Sequence, residues 1–435
     1  IMKSDNQLHP TLNQGNSMKP KNIIKKIKQT GQSTILMLTV LAVALPAIVI
    51  LYNSGKATTT KMEVVNAADA SAYSGAIWAA RNLNFMAYTN RAMVSNHILV
   101  GHFVSYASWL RYVDDDMGKI ASVLSFIPFV GSAVSAISSV VSLTRTLTDV
   151  AGHVLVPMVD ALNTFYHSAQ VLAKMYGFYA VPEIMKETAK RYDPEIKIND
   201  IDALDDDFVK YSGIYNLVRN NVAMFTFTKR YTPSSDGGII AGLTRDSFGG
   251  SRAWIEGSAR STGSKTLFPV KIRKRGETTM TDDMSDWNAH DEREVSMFNF
   301  KKMKWGDWST LSSGEASARG YWSQYQGVRG YYGLNNQTGI DQTLYLTAFA
   351  SKPTENMKLD SKMGINDRGP NDPYKVHNIS AVSRALIYHK RPDASLGWGL
   401  GNGNSNASPS GEYSNLFNPF WEVRLDEVKL AGLPI

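Results

Sequence analysis

Paired histidines with a glutamate between them would hold zinc and supply its base, so the eight histidines of this chain are the first residues to read for chemistry. None lies in a His-Glu-x-x-His arrangement, and His97 and His102 are five apart, off the i, i+4 spacing that shares a helical face. No metal ligand is expected. The acid-rich run Asn199-Asp200-Ile201-Asp202-Ala203-Leu204-Asp205-Asp206-Asp207 lacks the sixth-position glycine and twelfth-position glutamate of a calcium loop and reads as a solvated linker or helix start. Two acidic groups, Asp282 with Asp283 and Glu292 with Glu294, are the candidates for glycosidase-like carboxylate work, but nothing in their spacing places them across a scissile bond. Glycines 397, 399, 401 and 403 precede no helix whose N-terminus could take a phosphate, and there is no Gly-x-Ser-x-Gly elbow and no Walker loop. With zero cysteines, thiolate nucleophiles, thiolate metal sites and disulfides are all excluded. The expectation is a protein with no catalytic residues, no cofactor, no metal and no small-molecule substrate.

What the elements must position is therefore surface rather than chemistry. Residues Ser33 to Leu51 carry no charge, enough for a helix to cross a bilayer. The 31 residues up to Gly31 hold six lysines against Asp5 alone, while only Lys56 and Lys61 follow closely. That asymmetry predicts a basic cytoplasmic tail over 1–31, a single-pass anchor over 32–52, and the bulk of the chain on the far side of the membrane. A cleaved secretory signal is the alternative, although such apolar regions run ~7–15 residues and end in small residues. Pro46 is compatible with a membrane helix. Of the net charge of +7, the tail supplies +5, so the basic character belongs to the membrane face and no nucleic-acid partner is expected.

Beyond the anchor the organisation changes once. Nine of the 33 glycines lie in residues 1–200, and seven of nine tryptophans lie after residue 250. This predicts an α+β chain: a transmembrane helix continuing into a helical region over 53–198, then a β-rich region over 199–435. No proline interrupts residues 47–127, so helices can run far beyond the membrane. Ala68, Ala72, Gly75 and Ala76 form a small-residue seam, packing either on the chain's own domain or on another subunit. Residues 120–144 are uncharged and read as a helical hairpin turning near Pro128 and Gly131; burial is the default, with a docking surface or a second span as alternatives. Strands are predicted at Thr266–Lys274, Gly330–Leu334, Thr343–Ala350, Ala381–Lys390 and Trp421–Leu430, with a Gly/Asn/Ser loop over 397–411.

The stretch from Gly31 to Arg81, with its Asn66-Ala67-Ala68-Asp69-Ala70 phrase, resembles the N-terminal segment of TadG-like proteins of the Flp, or tight-adherence, pilus system. Weaker similarities follow at Arg245 to Trp254, at Lys274-Arg275-Gly276-Glu277-Thr278 and at Asn415 to Leu425. The resemblance implies a role in pilus assembly or surface attachment. Prepilins of such systems are cut after a glycine; a cut between Gly31 and Gln32 would put Leu36 where those proteins keep a glutamate. The metal-binding Asp-x-Ser-x-Ser of some relatives is not matched, because Asp283-Met284-Ser285-Asp286-Trp287 lacks its last serine.

The functional expectation is a non-enzymatic component of a tight-adherence pilus apparatus in the bacterial inner membrane, its bulk in the periplasm, with pilus proteins or its own copies as partners. Two alternatives remain open: a pilin-like subunit carried into an extracellular filament, and an adhesin binding glycan or host protein through aromatic runs such as Tyr321-Trp322 and Tyr331-Tyr332.

Overall fold

The computed structural model describes residues 32–124, 130–200, 213–231, 262–281, 285–322, 325–327, 329–335, 342–353, 378–390 and 414–428. Helix α1 runs without a break from Gln32 to Leu124, 93 residues or ~140 Å. Pro46 is its only proline, and it lies in the apolar N-terminal part. Helix α2, Val130–Lys190, returns along α1. Their antiparallel register is fixed by Asn96 donating to Asn163 (2.8 Å), by Arg145 on Asp114 (2.7 Å), and by the Arg111–Asp149 pair. The hairpin turn expected near Pro128 lies outside the described residues, as do the tail 1–31, the acidic run from 201, the phrase at 245–254, Asp282–Asp283 and the 397–411 loop.

The rest of the chain is β-rich, as the composition change after residue 200 predicts, and every strand pairing is antiparallel. The first sheet has the order β1 (Lys197–Ile198), β9 (Leu344–Pro353), β10 (Asn378–His389), β11 (Trp421–Asp426). The second is built from β3 (Thr262–Leu267), β4 (Val270–Met280), β5 (Trp287–Asn299) and the short β6 (Lys304–Trp305), with β7 (Ser309–Ser317) on the other edge of β5. A ribbon of β2 (Thr228–Tyr231) and β8 (Tyr331–Leu334) bridges them. The single strand expected over Thr266–Lys274 is two strands: the chain turns at Phe268-Pro269, where proline offers no donor to continue the ladder.

Two cores are strung along α1. Val64, Ala72, Ala76, Leu83 and Met86 meet Met185 of α2 and Leu346, Ala348, Ile387 and Trp421 of the first sheet. Farther along, Met93, Val100 and Val104 meet Val156, Trp287, Trp322 and Tyr331. The helical segment 53–198 and the β-rich segment 199–435 thus share both cores. Between the cores a polar clamp sets the register: Asn90 donates to the carbonyls of Tyr332 and Leu416 (both 2.7 Å), while Gln170 of α2 donates to the Asn90 oxygen (2.6 Å).

Candidate interaction surfaces

Among the described residues, nothing buries the apolar N-terminal part of α1. Within α1 an 18-residue window of mean hydropathy 2.7 is wholly unburied, with Ile35, Leu36, Met37 and Leu41 among the exposed side chains. It is the one described helix long and apolar enough to cross a membrane, and its place near the N-terminus suits an anchor or a signal sequence. Gln32 opens this helix, and Gly31 lies outside the described residues.

The small-residue seam faces inward. Ala68, Ala72 and Ala76 are fully buried, and a Cβ on Gly75 would lie 2.7 Å from both Leu346 Cδ2 and Met185 Cγ. Its partners are α2 and the first sheet of the same chain. Small side chains at this spacing let α1 sink between strand and helix at close backbone range.

The residues first read for chemistry are held in structural contacts. His97 is buried with Nδ1 3.1 Å from the Tyr325 hydroxyl; burial first, then the nearby Arg329, lowers its pKa to about 3, so it stays neutral. Glu294 is gripped by Arg273 across the β4–β5 ladder, and that hydrogen bond, outweighing partial desolvation, holds its carboxyl below the ordinary range. Glu292 lies 3.7 Å from Arg275 and 3.4 Å from His290. Among the described residues no three His, Asp or Glu side chains gather as a metal site. The aromatic runs read as sugar platforms are largely interior: Trp322, Tyr325, Tyr331 and Tyr332 are buried, while half-exposed Tyr321 lies under Arg111, 3.7 Å from its ring centroid.

What the helical hairpin leaves open is its outer side. Expected as buried over 120–144, α2 is two-faced instead. Gly131, Thr148, Val156, Asp160, Asn163 and Gln170 face inward, and Ile137, Leu147, Val154, Phe165, Leu172 and Tyr179 face outward, each more than half exposed. Leu147, Val154, Phe165, Leu172 and Tyr179 are spaced by 7, 11, 7 and 7 residues, close to whole turns, so they lie along one stripe ~48 Å long, with Ile137 at its edge. The stripe carries no charge, because each of the four charged residues between Gly131 and Ala180 has a partner off it: Arg145 pairs with Asp114, Asp149 with Arg111, Asp160 with Arg329, and Lys174 donates to the Thr228 carbonyl. At matching levels α1 adds exposed Tyr88 and a stacked pair, Tyr106 and Trp109.

The sequence pattern marks an uncharged hairpin over 120–144 but neither this stripe nor its outward direction. The inward face was the less visible one, since its Asp160, Asn163 and Gln170 find partners only through residues distant in the chain. No family model, curated protein or solved structure matches the chain.

Proposed function

We propose that this chain is a non-enzymatic, membrane-anchored component of a bacterial Flp/tight-adherence pilus assembly system, a scaffold or minor pilin-like subunit that holds neighbouring proteins against its helical pair. The observation that carries the reading is continuity: one helix leads from an apolar, wholly exposed segment into a rod whose second helix keeps an uncharged apolar stripe open to solvent. Thirteen large apolar side chains from Ile137 to Tyr179 are more than a third exposed, which puts their area on the order of 1,000 Å². Monomers rarely expose contiguous patches beyond ~300–600 Å², and a standard interface takes ~800 Å² per partner. A face of that size and that lack of charge resembles the core of a lasting interface.

The topology assigned to this reading is an N-terminus in the cytoplasm and the folded region in the periplasm, following the lysine asymmetry of residues 1–31. The resemblance of residues 31–81 to TadG-like proteins supplies the pilus context. The adhesin alternative loses support because most of its aromatic candidates fill the cores.

The absence of native cysteine makes the test clean. Leu147→Cys and Leu172→Cys, carrying a short bifunctional crosslinker in intact cells, should capture discrete partners, whereas Lys186→Cys beyond the stripe should not. Fractionation with protease accessibility checks the topology. A soluble cytoplasmic chain, or stripe positions that crosslink no more than Lys186→Cys, would overturn the proposal.

A further inference from the structure

At the end of the second sheet two turns come together into a projecting tip. The β3–β4 turn carries Leu267 and Phe268, and the β5–β6 turn carries Phe300, Lys301, Lys302 and Met303. A ladder contact, Phe298 N–H to the Pro269 carbonyl at 2.9 Å, joins them. The Phe268 ring then lies 5.5 Å from Phe298, 5.9 Å from Phe300 and 6.4 Å from Trp305, so the aromatics brace one another. Yet this cluster is not covered: Leu267 is 77 %, Phe268 65 %, Phe300 62 % and Met303 75 % exposed.

Charge surrounds the apolar apex. Residues 262–272 and 297–308 contain five lysines (Lys265, Lys271, Lys301, Lys302, Lys304) against the single acid Asp307. Lys271 sits 4.3 Å from the Trp305 ring centroid, its ammonium held over the aromatic face.

We infer that this tip docks on an anionic lipid surface, with Leu267, Phe268, Phe300 and Met303 entering the headgroup–acyl boundary and the lysines resting on lipid phosphates. An apolar apex ringed by lysine is the composition that gains from both phases of such an interface, the ammonium groups snorkelling outward along their own methylenes. Single-stranded nucleic acid also rewards lysine and aromatics, but it stacks on ring faces. Here the most exposed apex residues are aliphatic or thioether, Leu267 and Met303, which offer nothing to a base and much to an acyl chain.

The tip lies at the opposite end of the rod from the apolar N-terminal segment. Strand β7 runs along α1 with Gly314 against Tyr112, Ser312 on Asp116 and the Leu311 carbonyl on Lys119, so the turns beyond Ser309 lie past that level. From Leu51 to Lys119 is ~100 Å of helix. Where the N-terminal segment is held in one bilayer, an inference that rests on the anchor reading above, the lipid met by this tip belongs to another surface.

The test keeps these two ideas apart. The full chain is held by its N-terminal segment in nanodiscs of phosphatidylcholine and floated with vesicles of phosphatidylcholine alone or with about one phosphatidylglycerol in three. Nanodisc-borne protein should float only with the anionic vesicles and detach as salt rises. Phe268→Ser with Phe300→Ser, and separately Lys301→Glu with Lys302→Glu and Lys304→Glu, should each weaken binding about tenfold or more; the exposed lysine changes should leave the melting temperature unmoved, while the phenylalanine changes lower it slightly through lost ring contacts with Phe298 and Trp305. Met303→Cys bearing an environment-sensitive dye should shift to the blue on anionic vesicles, a readout that needs no loss of function. Equal flotation with both lipids, no flotation, an unmoved dye, or oligonucleotide binding that is tighter than lipid binding and lost in the same variants would overturn the inference. Failure of the N-terminal segment to enter nanodiscs would instead count against the anchor.

Discussion

Gly314→Ala is the sharpest test of how the second sheet is seated. Strand β7 crosses α1 so closely that a Cβ at this position would lie 2.2 Å from Tyr112 N, 2.3 Å from the Ser108 carbonyl oxygen and 2.8 Å from Tyr112 Cα. Those are main-chain atoms of a helix packed on several sides, so no side chain can swing away. Restoring ordinary contact distance requires the strand to retreat by about an ångström. That movement stretches the hydrogen bonds that hold it, Ser108 Oγ to the Gly314 carbonyl at 3.0 Å and Arg111 to the Glu315 carbonyl at 2.9 Å. Overpacking costs ~1–3 kcal/mol and each weakened hydrogen bond ~1 kcal/mol, so about 3 kcal/mol is expected. Thermal unfolding of the detergent-solubilised chain, followed by circular dichroism, should show a midpoint lowered by roughly 5–10 °C. Gly118→Ala is the matched control: nothing lies within 4 Å of its would-be Cβ, and within the last two turns of α1 alanine should add ~0.5–1 kcal/mol. A Gly314→Ala chain that melts with the wild type would refute the close seating of β7 on α1.

Asn90→Ala should cost about 2–4 kcal/mol in the same melting assay, because it strips partners from the buried Tyr332 and Leu416 carbonyls and from the Gln170 amide. Ala72→Leu should destabilise by ~1–3 kcal/mol, and Gly75→Leu by at least as much given its 2.7 Å approach to Leu346 and Met185, with membrane fractionation unchanged for both. His97 binds its proton less readily folded (pKa about 3) than unfolded (~6.5), so the unfolded state carries more protons between those values. Its contribution to stability is therefore complete above pH ~6.5 and is lost as pH falls toward 3. Melting temperatures measured from pH 7 to pH 4 should fall less steeply for His97→Gln than for the wild type.

The helices were legible because the features that make them are local. With no proline from 47 to 127 and few glycines, nothing in the sequence stops α1, and it runs to Leu124. Strands β9, β10 and β11 were legible as β-branched and aromatic runs. Strands β5 and β7 were not. The sequence Trp287-Asn288-Ala289-His290-Asp291-Glu292-Arg293-Glu294 reads as solvated, and only the facing strand explains it: Lys274 pairs with Asp291, Arg275 with Glu292, Arg273 with Glu294. Serine and glycine in β7 serve the close approach to α1 that only the tertiary structure reveals. The lipid-directed tip was hidden for the same reason, since Phe268 and Phe300 are distant in sequence and meet only through the β4–β5 ladder.

The stripe on α2 exposes a different limit. A three- and four-residue apolar period says that a helix will bury one face, but the period is the same whether the cover comes from its own chain or another. What decides is the opposite face, and on α2 that face is already taken. Asp160 receives Arg329 at 2.9 Å, Gln170 completes the clamp with Asn90, and Val156 and Val159 enter the second core. Rotating α2 to hide Leu147, Phe165 and Leu172 would expose those groups and strand Asp160 and Gln170 without partners. An unpaired buried polar group costs ~1–3 kcal/mol, more when charged, and several would be created at once. The helix is therefore locked with its apolar stripe outward.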